Sequence, residues 1–225
     1  MSFIDNYPCP YQFVVIEGNI GAGKTSLATR ISEEYKAKLI LERFADNPFL
    51  PKFYKDQGRY AFPVEMSFLA DRYNQLKKDL QSKELFSSFT IADYYFMKSL
   101  IFAKNTLASD EYNLYAQIFQ IIYQALPKPD LYVYLHQNSN NLLENIRNRG
   151  RDYESEISEK YLRRIQQGYF DFFKQQPDLP IVVIDMNGSD FVNKSCDFEA
   201  IIRLLFSKRY DPGIKFVKCD EGYEV

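Results

Sequence analysis

Short apolar runs alternate along this chain with longer stretches whose apolar positions recur every three or four residues. Phe13-Val14-Val15-Ile16 carries no polar face, as a strand buried on both sides requires. Runs of the same kind stand at 38–41, 86–91, 131–135 and 180–185. Between them, Phe62, Met66, Leu69, Tyr73, Leu76 and Leu80 mark a long amphipathic helix over 59–81. Further helices are expected directly after residue 23 and over 49–55, 95–106, 111–126, 139–146, 158–174 and 198–208. The pattern predicts an α/β fold: a parallel sheet of about five strands covered by helices on both faces. Ligands of such a sheet lie beyond the carboxyl ends of its strands. Residues 1–11 read as a leader and 209–225 as a tail without clear period, within a single domain spanning 1–225.

The first strand runs straight into Gly18-Asn19-Ile20-Gly21-Ala22-Gly23-Lys24-Thr25, which satisfies G-x-x-x-x-G-K-[ST] at every fixed position. Strand, glycine loop and helix N-terminus form an anion site, because backbone N–H groups and the helix dipole converge on one phosphate. Lys24 is then expected at the β- and γ-phosphates and Thr25 on a magnesium ion, so the chain is read as a P-loop protein that binds a nucleoside triphosphate. The net charge of −2 offers no field that would favour nucleic acid. Cys9, Cys196 and Cys219 are odd in number and widely spaced, against a disulfide framework or a zinc site. No 18-residue apolar run is present, and the N-terminus lacks a basic segment followed by an apolar one. A cytoplasmic protein with no nucleic-acid or membrane partner is the expectation.

Phosphoryl transfer needs an acceptor hydroxyl aligned and relieved of its proton while charge on the phosphates is neutralised. Glu42, at the end of the second strand, is placed for that task or is a surface glutamate on an edge strand. Asp93, at the end of the third, either holds magnesium or caps the helix that follows. Glu65 and Arg72 lie two helical turns apart, facing one cleft or forming the wet face of their helix. Arg147, Arg149 and Arg151 form a short basic lid over 147–157 or a solvated helix end. His136, the single histidine, is given a structural or solvent role.

Several segments beyond the glycine loop resemble the deoxynucleoside kinases, in particular the bacterial deoxyadenosine/deoxyguanosine kinase branch. They are Glu42 with the run from Asp46 to Tyr54, Arg59-Tyr60-Ala61-Phe62, Phe68-Leu69-Ala70-Asp71-Arg72, Pro129-Asp130-Leu131, Arg149-Gly150-Arg151-Asp152-Tyr153-Glu154 and Tyr161-Leu162. The resemblance covers about residues 13–185 and implies an ATP- and magnesium-dependent transfer to the 5′-hydroxyl of a deoxynucleoside, a purine one, by a homodimer. It makes Glu42 the base for that hydroxyl and Arg72 the arginine beside it. Tyr54 and Glu154 would read the sugar 3′-hydroxyl, and Arg149 and Arg151 would be lid arginines. Two features depart from the family. Its acid-Arg-Ser/Thr run is replaced by Ala92-Asp93-Tyr94, so an arginine is missing and Arg43 or Arg147 is expected to supply its charge. Its base-reading glutamine falls on Glu65 and its base-reading aspartate on Lys98, or on Ser99 after a one-residue slip; Glu65 and Lys98 are expected to pair with each other in one buried pocket. Two alternatives follow: a thymidylate-type monophosphate kinase clamping its acceptor with Arg43 and Arg72, or a nucleotide-binding regulator without catalysis.

Overall fold

The structure, a computed structural model, describes residues 3–43, 47–82, 87–151, 154 and 157–219. Among these, six strands form one parallel sheet: β1 (Phe13–Gly18), β2 (Lys38–Ile40), β3 (Thr90–Ala92), β4 (Leu131–His136), β5 (Pro180–Asp185) and β6 (Gly213–Lys218). Their order across the sheet is β2-β3-β1-β4-β5-β6, with every neighbouring pair parallel. The helices are α1 (Lys24–Tyr35), α2 (Leu50–Lys55), α3 (Gln57–Gln81), α4 (Met97–Thr106), α5 (Ser109–Tyr123), α6 (Ser139–Arg149), α7 (Glu159–Phe173) and α8 (Ser195–Phe206).

Alternation along β1 builds both halves of the core. Val14 and Ile16 face one side, with Leu27 and Ile31 of α1, Leu142 and Ile146 of α6, and Ile201 and Leu205 of α8. Phe13 and Val15 face the other, with Leu69 and Leu76 of α3, Ile101 of α4, Phe119 of α5 and Ile165 and Phe173 of α7. Neither face of β1 meets solvent, which is why its run is continuously apolar.

The sheet therefore corrects the expected strand number. Residues 213–218, within the segment left without structure, add an edge strand to β5. β6 packs only Ile214 and Val217 partly against the core, keeps Phe216 and its lysines exposed, and lacks the apolar signature of the buried strands. Strand order reverses at β1, whose neighbours are β3 and β4. The loop after β1 thus opens at the topological switch point, where a crevice is unavoidable.

Candidate active site

The loop from Gly18 to Thr25 folds tightly between β1 and α1. Gly21 has φ 83° and Gly23 φ 83°. A Cβ on Gly21 would also come within 2.7 Å of the Leu142 carbonyl oxygen, so only glycine fits that turn. Ala22 points into the core. Asn19 is buried; its side chain donates to the Leu162 carbonyl (2.8 Å) and accepts from the Ile20 N–H (2.9 Å), fastening the loop to α7. Asn145 of α6 donates to the Gly21 carbonyl (2.9 Å). Lys24 Nζ donates to the Asn19 carbonyl (2.8 Å), curled back over the cradle. Burial, and secondarily Lys98, draw the Lys24 ammonium down to about 8 against the opposing pull of Glu17, Glu42 and Asp93.

One hydrogen-bonded chain joins this cradle to the second strand. Thr25 Oγ1 donates to Asp93 Oδ2 (2.5 Å), and Asp93 Oδ1 accepts from the Glu42 N–H (2.8 Å). Asp93 is thereby committed to the loop rim and does not cap α4, whose N-terminus has no side-chain cap. Hard oxygens of a hydroxyl and a carboxylate, side by side next to a phosphate cradle, fit the donor set of magnesium.

The Glu42 carboxylate is gripped from both sides. Oε1 accepts from Arg72 Nε (3.0 Å) and Nη2 (2.7 Å), while Oε2 accepts from Lys98 Nζ. Arg72 is oriented in turn by the Ser99 hydroxyl, to which Nη1 donates (2.8 Å). Burial by itself would raise the Glu42 carboxyl, but Lys98 and Arg72 outweigh it and hold it down at about 2. Arg72 therefore faces the cleft, as the spacing allowed, and Glu42 is no surface residue.

One expectation fails here: Lys98 pairs with Glu42 and not with Glu65. Arg43 and Arg147 are both exposed. Tyr94, which follows Asp93, is fully buried and contributes only an unpartnered hydroxyl.

Glu65 is left buried, with its Oε2 unpartnered. Arg72 on its own helix, Tyr115 of α5 and the Thr106 hydroxyl of α4 surround it. Burial pushes its carboxyl up to about 7, and Arg72 and Thr106 only partly offset this. The unfolded chain releases that proton near 4.5 and the folded one near 7, so the Glu65 contribution to stability is most favourable below pH 4.5 and declines up to pH 7. The difference amounts to about 3 kcal/mol. Glu65→Gln, neutral and of equal size, is accordingly expected to melt higher than the parent at pH 8, with the two converging towards pH 5. A variant that melts lower at pH 8 would refute this assignment.

The basic lid is internally paired. Arg149 donates through Nε (3.1 Å) and Nη2 to Glu154 Oε2, and Arg151 Nη1 to Glu154 Oε1 (3.3 Å). Glu154 is buried although both arginines are partly exposed. Residues 152–153 and 155–156 of the expected lid, and the side chain of Tyr54, lie outside the described residues. His136, at the end of β4, keeps its Nδ1 unpartnered beside the Phe170 ring.

One site residue escaped notice in the sequence. Glu17, fully buried in β1, accepts from the Tyr95 N–H (2.9 Å) and the Tyr169 hydroxyl (2.9 Å). Its carboxyl is raised by burial, countered first by Lys98 and then by Lys24. It anchors the segment that delivers Lys98. The signal was an acidic residue closing an otherwise apolar strand immediately before the glycine loop.

A nucleotide cradle and a doubly clamped carboxylate on one rim define a class of phosphotransferase, and comparison with known proteins narrows it. The family model described as deoxynucleoside kinase matches residues 14–208. The chain belongs to the deoxynucleoside kinase family. It is 37% identical over 193 residues to a deoxyguanosine kinase of Bacillus subtilis (strain 168), covering 84% of this chain and 93% of that one. To a deoxyadenosine kinase of Dictyostelium discoideum it is 31% identical over 181 residues, covering 80% and 74%. Among solved structures, deoxyadenosine kinase from M. mycoides with products dCMP and a flexible dCDP bound superposes with a TM-score of 0.71. That match has 26% identity and covers 85% of this chain and 95% of that one. This deoxynucleoside kinase is therefore a phosphotransferase with an alcohol acceptor and uses nucleotides. Membership of this family displaces the monophosphate-kinase alternative and the regulator without catalysis. No helix among the described residues is long and apolar enough to cross a membrane.

Proposed function

We propose that the protein transfers the γ-phosphate of ATP to the 5′-hydroxyl of a purine deoxynucleoside, acting with magnesium, in the cytoplasm, as a single kinase domain that forms homodimers. The observation that supports this most directly is the chain from Thr25 through Asp93 to the backbone N–H of Glu42, which ties the donor cradle to the residue whose carboxylate is able to receive a hydroxyl proton. The backbone from Gly18 to Thr25 and the Lys24 ammonium hold the β- and γ-phosphates, with Arg147 at the outer edge. Thr25 and Asp93 would hold the ion, which when bound neutralises phosphate charge. Glu42 orients the hydroxyl and takes its proton as the new P–O bond forms, with Arg72 keeping the carboxylate aimed. Arg149 and Arg151 serve the phosphates, and Tyr54 and Glu154 the sugar 3′-hydroxyl. Glu65, with an oxygen left free, meets the base edge. The named activities of the two relatives favour a purine. Leu114 and Ile121, exposed on α5, are the apolar surface that supports a dimer.

The test is transfer from γ-labelled ATP to a panel of deoxynucleosides and their monophosphates, with the protein's mass first measured by light scattering. Label on deoxyguanosine or deoxyadenosine, from a species of twice the chain mass, is the expected result. Label confined to monophosphates or to pyrimidine nucleosides, or a monomeric mass, overturns the corresponding part.

A further inference from the structure

We propose that Lys98 is a catalytic residue: its ammonium contacts the phosphoryl group in flight and supplies the positive charge that the run Ala92-Asp93-Tyr94 does not. The inference rests on the transfer to a deoxynucleoside hydroxyl set out above, and concerns which side chain stabilises the transition state.

The argument begins with the lone pairs of Glu42. Each carboxylate oxygen accepts about two hydrogen bonds in plane. Oε1 already takes two, both from Arg72. Oε2 takes one, from Lys98. An acceptor hydroxyl that docks on Glu42 therefore docks on Oε2, and its oxygen comes to lie beside the Lys98 ammonium on the same acceptor atom. Three hydrogens on that ammonium leave two free to point away from the carboxylate.

The phosphate cradle is two hydrogen bonds away. Glu42, which holds the Lys98 ammonium, donates its N–H to Asp93, and Asp93 accepts from Thr25 of the glycine loop. Lys98 thus stands beside the hydroxyl-binding oxygen on the rim that Asp93 joins to the cradle, within the region where the phosphoryl group is transferred. It is held there by burial, by Glu42 and by the Glu17 bond that fixes the start of its segment at Tyr95.

In the step itself, the hydroxyl oxygen attacks the γ-phosphorus and its proton passes to Glu42 Oε2. The bond from the γ-phosphorus to the β,γ-bridging oxygen breaks, and ADP leaves with that electron pair. Negative charge spreads over the equatorial phosphoryl oxygens, and a buried cation in contact with them lowers the barrier without reorganising solvent. On this reading Lys98 acts on the phosphoryl group and not on the base.

A residue that only aimed Glu42 would also depress activity when removed, so the test separates the two roles. Lys98→Met is measured alone and in a Glu42→Gln background, with kcat and KM for ATP and for the deoxynucleoside. Contact with the phosphoryl group predicts a fall in kcat of about 10²–10³-fold with both KM values within a few fold. It also predicts a further loss of at least about tenfold when Glu42 is already glutamine, and recovery of rate in Lys98→Ala on adding methylammonium. No further loss in the Glu42→Gln background reduces Lys98 to a positioning residue and overturns the proposal. So does a raised nucleoside KM with altered base selectivity and intact kcat, which would make it a base reader. Lys98→Arg, which keeps the charge, is the companion variant where the methionine does not fold, and its expected kcat exceeds that of Lys98→Ala. If the parent protein itself labels no deoxynucleoside, the functional reading fails; an active parent with an equally active Lys98→Met fails this inference alone.

Discussion

Glu42→Gln is expected to lower kcat by about 10²–10⁴-fold at saturating deoxynucleoside, the usual worth of a positioned proton acceptor. Glutamine keeps the length of the side chain and an acceptor oxygen, but it cannot take a proton. At about 2, the parent carboxylate is too weak a base to deprotonate a free hydroxyl. Its opportunity arises late, because the hydroxyl becomes acidic only as its oxygen bonds to phosphorus in a loose transition state. The same substitution removes the one anion between Arg72 and Lys98, both buried. Loss of one partner from a buried ion pair typically costs about 3–5 kcal/mol, so a lower melting temperature is expected alongside the lost rate. Glu42→Asp, which keeps the charge one methylene short, separates the two effects: it should fold more stably than Glu42→Gln and still turn over slowly, since the carboxylate withdraws from the hydroxyl. Steady-state kinetics on folded material decide the matter. A kcat for Glu42→Gln within about threefold of the parent would remove Glu42 from the chemistry.

Lys24→Met is expected to cost about 10²–10³-fold in kcat while leaving the empty protein at least as stable as before. The ammonium lies among protein atoms with Lys98 nearby, and both influences disfavour its charge. Its hydrogen bond to the Asn19 carbonyl is a modest return for that desolvation. Holding a cation in a site that waits for phosphate is the kind of stored cost that function imposes on a fold. Methionine fills the same space without the charge. The sign of the titration agrees: a lysine whose folded value falls to about 8 destabilises the native state below that pH, where the unfolded chain is charged freely. The gain in melting temperature should therefore be visible at pH 7 and vanish above pH 10. A variant that melts lower than the parent at pH 7 would show that Lys24 supports the loop, contrary to this account.

Much of the architecture was legible in the sequence because the relevant signals are local. A continuous apolar run beside glycines at fixed spacing dictates a buried strand, a tight turn and a helix start. Those three elements place Lys24 and Thr25 where they stand. The period-three-and-four pattern from Phe62 to Leu80 likewise announces α3, and with it the approach of Arg72 to the cleft. Edge strand β6 was not legible: Ile214 and Val217 are only partly buried against the core while Lys215, Phe216 and Lys218 stay exposed, so its residues carry no constraint strong enough to leave a pattern.

Which charges meet was decided by the tertiary structure alone. The resemblance to the deoxynucleoside kinases put Glu65 and Lys98 at the base-reading positions of one pocket, where the cost of an isolated buried charge implied that the two pair. Packing chose otherwise. Lys98 lies on the first turns of α4, whose approach is set by Glu17 through the Tyr95 N–H, and from there its nearest buried anion is Glu42, not Glu65. Arg72 binds the other oxygen of that same carboxylate, so Glu65 is left with the raised carboxyl of an uncompensated acid. Local sequence determines where a chain turns and which face of each element is apolar, since those depend on neighbours in the chain. The partner of a buried charge depends on ångström-scale distances between elements far apart in sequence, and Coulomb energy in a low-dielectric site is steep over that range.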